Sequence, residues 1–277
     1  MINEDAFRSE LQSAIEQNHI TLPTLPEVAL RVREAVEKEN STATEIADMV
    51  ATDTALSARL LQVANSPLYR GRVPIESIQM AITRLGNKLV RSLVISLAMK
   101  QIFQATSDVL DKRLRAIWED SVQIAALSRV LSQNLSHLDR EQAMLAGLIH
   151  NIGSLPILTM AENYPELIEN PQALDELIEN LNPTIGMQIL QAWDFPETLV
   201  SVAGNYQNLS YDNGPEADYT DVVQVSRLQM LDESHPAAQH DWSAIPSFAK
   251  VGIEPEIEVI NIEGVAEQVD DVQQVFM

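Results

Sequence analysis

Seven basic side chains crowd into residues 59–100: Arg59, Arg70, Arg72, Arg84, Lys88, Arg91 and Lys100, with Glu76 as the acid among them. Such a segment can pair with phosphate, and an affinity carried that way falls steeply with salt because counterions are released. The rest of the chain argues against polyanions. Its formal net charge is −22, and residues 121–277 hold 4 Lys and Arg against 24 Asp and Glu. An acidic half of that size repels nucleic acid, so a nucleotide or nucleic-acid contact is expected on 59–100 or nowhere. The plainer reading makes these cations a solvated helical face or partners of the acidic half. Arg84, Lys88 and Arg91 then form either an interdomain salt-bridge seam or a phosphate-binding cleft, and the seam is the preferred expectation. Upstream, Asn65-Ser66-Pro67-Leu68-Tyr69-Arg70 is a tight helix exit. It either presents Tyr69 and Arg70 to a partner or packs Leu68 and Tyr69 inward while Asn65 and Ser66 bond the last helical turn. The architectural reading is preferred.

Other chemistry is thinly provided. The chain has no Cys, which excludes disulfides, thiolate metal sites and a thiol nucleophile. No Ser lies in a G-x-S-x-G elbow, and Gly147 and Gly153 flank a helix end instead of crowding one phosphate-cradling turn. Five His residues, at 19, 137, 150, 235 and 240, limit any imidazole cluster. Residues 1–17 are acidic and polar, unlike a secretory signal, and the apolar run Leu89–Met99 is short and interrupted by Arg91. A cytoplasmic protein without membrane contact is expected.

The elements that must position these residues read as helices throughout. Asp53 to Gly86 is an amphipathic hairpin: Leu56, Leu60, Val63 and Ala64 recur at helical spacing, then Ile75, Ile78, Ala81, Ile82 and Leu85 do so again. Asp53 caps the first helix, Pro67 and Gly71 mark the bend, and Gly86 supplies a left-handed stop. Before it lie helices at Asp5–Gln17, from Pro26 as a first-turn proline to Lys38, and from the capping box Thr42-Ala43-Thr44-Glu45 onward. After it, Asn87 is expected to cap a long, nearly all-apolar helix to Phe103, which must be buried on most sides. Thr106-Ser107-Asp108 is a polar joint before a helix reaching about Leu135. Further helices are predicted at Glu141–His150, Leu155–Met160, Pro171–Glu179, Thr184–Trp193, Pro196–Tyr206 and Tyr219–Leu231, with 208–218 a loop. Residues 243–251 and 263–274 read as short helices, and the β-branched Ile257, Val259, Ile260 and Ile262 between them as a short strand. The fold class is all-α.

The wording of the hairpin is more specific than its periodicity. D-x-x-L-x-x-x-L-L-x-x-A-N-S-P-x-Y from Asp53, followed by P-I-x-S-I-x-x-A-I-x-x-L-G from Pro74 to Gly86, resembles the HDOD family of bacterial signalling and regulatory modules. The similarity starts at Leu22-Pro23-Thr24-Leu25-Pro26 and runs to about residue 232. It implies an HD-like bundle of two packed helical subdomains, 1–105 and 106–232, forming one module, with 233–277 as a C-terminal extension. HDOD domains are relatives of HD-type metal phosphohydrolases, where imidazole and carboxylate hold a divalent metal that activates water. The resemblance places that site at Asp120, His150 and Asn151. Here the His-Asp pair reads His150-Asn151, Asp120 stands at a usual His, and Gly204-Asn205-Tyr206-Gln207 falls where a His-His pair is frequent. No metal or other cofactor is therefore expected; a residual metal would rest on Asp120 and His150. The implied role is non-catalytic regulation through a protein partner or small ligand. The alternatives are a divergent phosphohydrolase and a nucleotide or nucleic-acid binder working through 59–100.

Overall fold

A computed structural model describes the chain apart from residues 1–3, 18, 21, 39–40, 104–107, 233–234 and 277. In order, the helices are α1 (Glu4–Glu16), α2 (Glu27–Glu37), α3 (Ala43–Ala51), α4 (Thr54–Ala64), α5 (Ile78–Leu85), α6 (Asn87–Ile102), α7 (Asp108–Leu131), α8 (Arg140–Ile149), α9 (Ser154–Ala161), α10 (Pro165–Ile168), α11 (Pro171–Ala192), α12 (Glu197–Asn205), α13 (Tyr219–Met230), α14 (Pro246–Val251) and α15 (Val265–Phe276). No strand occurs among the described residues. The strand expected at Ile257–Ile262 is a short 3-10 turn, Val259–Asn261, because no neighbouring strand offers a ladder and Ile257, Ile260 and Ile262 stay exposed.

Local signals explain most helix starts. Thr42 and Glu45 close a reciprocal capping box, and Asp53 Oδ1 accepts the Leu56 amide at 2.9 Å. Gly86 has φ +85°, a value open to glycine, and turns the chain directly from α5 into α6. Two expected helix starts shift by one position. Pro26 sits before α2 and not in its first turn, and Asn87 is the first helical residue of α6, so neither supplies a side-chain cap. The two helices expected at Pro171–Glu179 and Thr184–Trp193 are one continuous α11 that carries Pro183 inside it. Of the polar joint before α7, Thr106 and Ser107 lie outside the described residues.

One apolar cluster runs from Phe7 on α1 to Phe276 on α15, so both halves share a core. Helix α7 is its axis, and α8 lies so close that a Cβ on Gly147 would stand 2.5 Å from the Ala125 Cα. Helix α13 is buried on every side from Thr220 to Leu228, polar residues included. Those polar groups are answered locally: Ser247 Oγ donates to Asp221 at 2.6 Å and stands 2.8 Å from Gln224 Oε1, and Lys250 lies 3.7 Å from Asp221 and 2.7 Å from Asp212 of the preceding loop. Through these contacts, and through buried Val265, Val269, Val272 and Phe276 of α15 against α7, the C-terminal segment completes the core. The apolar window within 140–161 has the length and hydropathy of a membrane span, but 89% of it is buried in the fold.

Candidate functional site

Asp120, His150 and Asn151 come from α7 and from the end of α8, and the fold brings all three to the wall of one cavity of about 500 Å³. Its other walls are α11, the end of α12 and α13. His150 is 3% exposed, and its Nδ1 lies 2.6 Å from the Gly147 carbonyl. A carbonyl can only accept, so Nδ1 carries the proton and Nε2 the lone pair. Burial, together with the Arg227 charge, depresses this imidazole to about 4, against a smaller upward pull from the Gly147 bond. The ring is neutral at physiological pH. Nε2 has no hydrogen-bond partner among the described residues.

Tyr206 packs edge-on against that ring, with centroids 4.8 Å apart. Its hydroxyl accepts from Asn182 and from Gln207, each at 2.7 Å, and burial pushes it up to about 12. Arg227 also lies against Tyr206, its guanidinium carbon 5.5 Å from the ring centroid and its Nη2 2.7 Å from Glu179. His235 Nε2 lies 3.5 Å from the same Glu179 oxygen. At the mouth, Arg113 pairs with Asp175. Asp120 is open to solvent there, and the desolvating cavity wall, with Glu119 beside it, pushes its carboxyl up.

The donors do not fit a divalent metal. Among the described residues no three His, Cys, Asp or Glu side chains converge on a point that could hold one. Asn151 Oδ1 is already taken by the Ser154 hydroxyl. A guanidinium, Arg227, lines the same cavity, and the second imidazole there, His235, is turned to Glu179. His150 does keep the tautomer a metal ligand needs, Nδ1–H held by a carbonyl.

Sequence reasoning reached three of these residues and missed Arg227, Glu179 and His235. A signal for Arg227 existed: it is the one Lys or Arg between residues 141 and 249. A lone cation in so acidic a stretch has reason to be paired inside the fold.

The basic segment resolves differently. Tyr69 turns inward, and its hydroxyl donates to Glu141 Oε2 at 2.5 Å. Glu141 also binds Arg129 at 2.9 Å, and the Arg129 guanidinium lies 5.6 Å from the Tyr69 ring centroid. The contact from the NSPLY segment to α8 is thus made by Tyr69, Glu141 and Arg129. The expected seam at Arg84, Lys88 and Arg91 is not formed by ion pairs among the described residues. Arg84 donates to the Val73 carbonyl of its own hairpin, Arg70 and Lys88 are exposed, and Arg91 is half-buried. Asn65 behaves as expected in bonding the Leu61 carbonyl, at 3.0 Å, and adds a two-point clasp on the Ile75 backbone, 2.8 Å in each direction.

An all-α bundle with Asp120, His150 and Asn151 on one cavity defines the class, and the comparisons with known proteins give the family. The chain belongs to the HDOD domain family, whose model matches residues 22–209. It is similar over its full length to a candidate metal-dependent phosphohydrolase of Shewanella amazonensis, with 30% identity, full coverage of both chains and a TM-score of 0.85. An HDOD domain protein of unknown function from Geobacter sulfurreducens shares the fold at 20% identity, covering 98% of this chain and 99% of its own, with a TM-score of 0.67. An uncharacterised protein of Treponema pallidum is 23% identical over 262 residues, or 87% of this chain. The chain spans about half the length of that curated relative, 48%.

Proposed function

We propose that this chain is a non-catalytic regulatory module of signal transduction, one that binds a small ligand in the HD-position cavity and passes the result to a protein partner. One observation carries the reading: the residues gathered at His150 have the wrong chemistry for a metal centre and the right enclosure for a ligand. A cavity of about 500 Å³ has the size of a small-molecule site, and its lining residues, polar for the most part with an apolar portion, suit a polar ligand. Without a metal-activated water the site lacks a nucleophile for phosphate esters. The test is the metal content of untagged protein, purified without chelator and measured by elemental mass spectrometry. The expected result is metal far below stoichiometry and unchanged in His150→Ala. Near-stoichiometric Mn, Fe, Zn or Ni, lost in His150→Ala, overturns the proposal.

That overturning result would favour a second reading, a divergent metal-dependent phosphohydrolase. Its support is the 30% identity to the Shewanella protein along the whole chain. Hydrolysis of bis-p-nitrophenyl phosphate that depends on added Mn²⁺ and on His150 would establish it.

A further inference from the structure

The polar groups of the cavity are unevenly satisfied, and what they lack describes a ligand. Its two arginines already have anions: Arg227 holds Glu179 at 2.7 Å, and Arg113 holds Asp175. The Tyr206 hydroxyl already accepts two hydrogen bonds. Two acceptors remain open. His150 Nε2 borders the cavity with its lone pair unused, and the Asp120 carboxylate has no hydrogen-bond or ion-pair partner among the described residues. These two acceptors call for donors, and Asp120 for positive charge; the Tyr206 O–H and the Gln123 amide, which also have no acceptor among the described residues, can serve a polar substituent on the same molecule.

An anion fits poorly. Both arginine charges are already matched by Glu179 and Asp175, and an anion would also lie among Asp120 and Asp232, four carboxylates against two guanidinium groups in one lining. A metal ion fits poorly as well, because no three acidic or imidazole ligands converge. A larger cation with several N–H groups can reach separate acceptors without demanding that they meet at one point. The field agrees: residues 121–277, which include His150, hold 4 basic residues against 24 acidic ones, and Asp120 adjoins them. Ile117, Ile124, Ile178, Met230 and Leu231 give the remaining wall an apolar character suited to a short hydrocarbon frame.

We infer that the cavity takes a small organic cation, an ammonium or guanidinium group on a compact apolar frame, donating to His150 Nε2 and Asp120. The inference rests on the ligand-site reading proposed above and names its chemical class.

The probe is agmatine, titrated into the full-length protein by calorimetry at fixed ionic strength, with putrescine, AMP, inorganic phosphate and MnCl₂ run alongside. Saturable binding of agmatine is expected. Asp120→Asn should weaken it at least tenfold, and His150→Phe should weaken it comparably. Glu119→Gln removes the same charge one residue away, outside the cavity lining, and should change affinity by less than twofold. If His150→Phe does not fold, the pair at 119 and 120 decides the matter, since both are solvent-exposed. Equal losses in Asp120→Asn and Glu119→Gln mean general attraction to an acidic surface and overturn the inference. So does binding of AMP or phosphate with agmatine silent, an outcome that leaves the regulatory reading standing. Silence from every probe overturns the inference too. Stoichiometric Mn²⁺ held by His150 overturns both.

Discussion

Replacing Tyr69 with phenylalanine removes one oxygen from the contact between the NSPLY segment and α8. That oxygen donates to Glu141 at 2.5 Å, and Glu141 is also the partner of Arg129, whose side chain is 7% exposed. A hydrogen bond to a charged group contributes about 1.5–3 kcal/mol. With about 2–4 °C lost per kcal/mol in chains of this size, Tyr69→Phe should lower Tm by about 3–12 °C. Glu141→Ala should cost more, about 3–5 kcal/mol, because it strands the Arg129 guanidinium in the core without its carboxylate. The two effects share one interaction, so they should not add. In the double variant the phenylalanine change should cost little beyond Glu141→Ala, giving a coupling of about 1.5–2 kcal/mol. Urea unfolding followed by far-ultraviolet circular dichroism on the four proteins measures it. A Tyr69→Phe change within about 0.5 kcal/mol of the parent, or strict additivity in the cycle, would refute the claim that this hydroxyl is structural and return Tyr69 to the list of candidate recognition residues.

Three further outcomes follow from other contacts. The His150 imidazole falls from an ordinary 6.5 to about 4 on folding, so its contribution to stability is complete above pH 6.5 and is lost as pH falls from there through about 4. The loss is of order 3 kcal/mol, and a His150→Gln variant should lack that part of the pH slope; a histidine ring signal that titrates near 6.5 in the folded protein would contradict it. Gly153→Ala should destabilise by about 1–3 kcal/mol or more, because its Cβ would press on the Asn182 carbonyl and stand 2.7 Å from the Gly186 amide nitrogen, both backbone; an unchanged denaturant midpoint would count against this packing. Phe276→Ala, at 1% exposure, should cost about 3–5 kcal/mol. A native-like midpoint there would show that α15 adds nothing to the core.

Much of the frame was legible in the sequence because its signals are local. The capping box at Thr42 and Glu45, the cap at Asp53 and the period of α4 each span a few residues, and physics within that span decides them. Long α11 was split in the reading because Pro183 breaks helices by default; here packing of Leu181, Ile185 and Ile189 overrides the missing amide. The Ile257–Ile262 run shows the reverse error, where β propensity had no partner strand to act on. The site was half legible. Asp120, His150 and Asn151 could be placed through a family pattern, whereas Arg227 and Glu179 come from helices 48 residues apart and meet only in the folded chain. The same holds for Arg129 and Glu141, whose pairing depends on how α8 folds back on α7.

Pro183 has a further consequence for motion. Lacking an amide hydrogen, it cannot donate to the backbone carbonyl of Glu179 four residues earlier, the residue whose side chain holds Arg227 at the cavity. The weakest rung of α11 therefore lies level with the cavity mouth, where a bend opens the gap between Glu179 and α13 without unravelling either half of the helix. In hydrogen exchange, the amides of Leu181 and Asn182 next to this rung should exchange sooner than those of Ile189 and Leu190 further along the same helix. The element that guards the Arg227 pair is built with its own point of give.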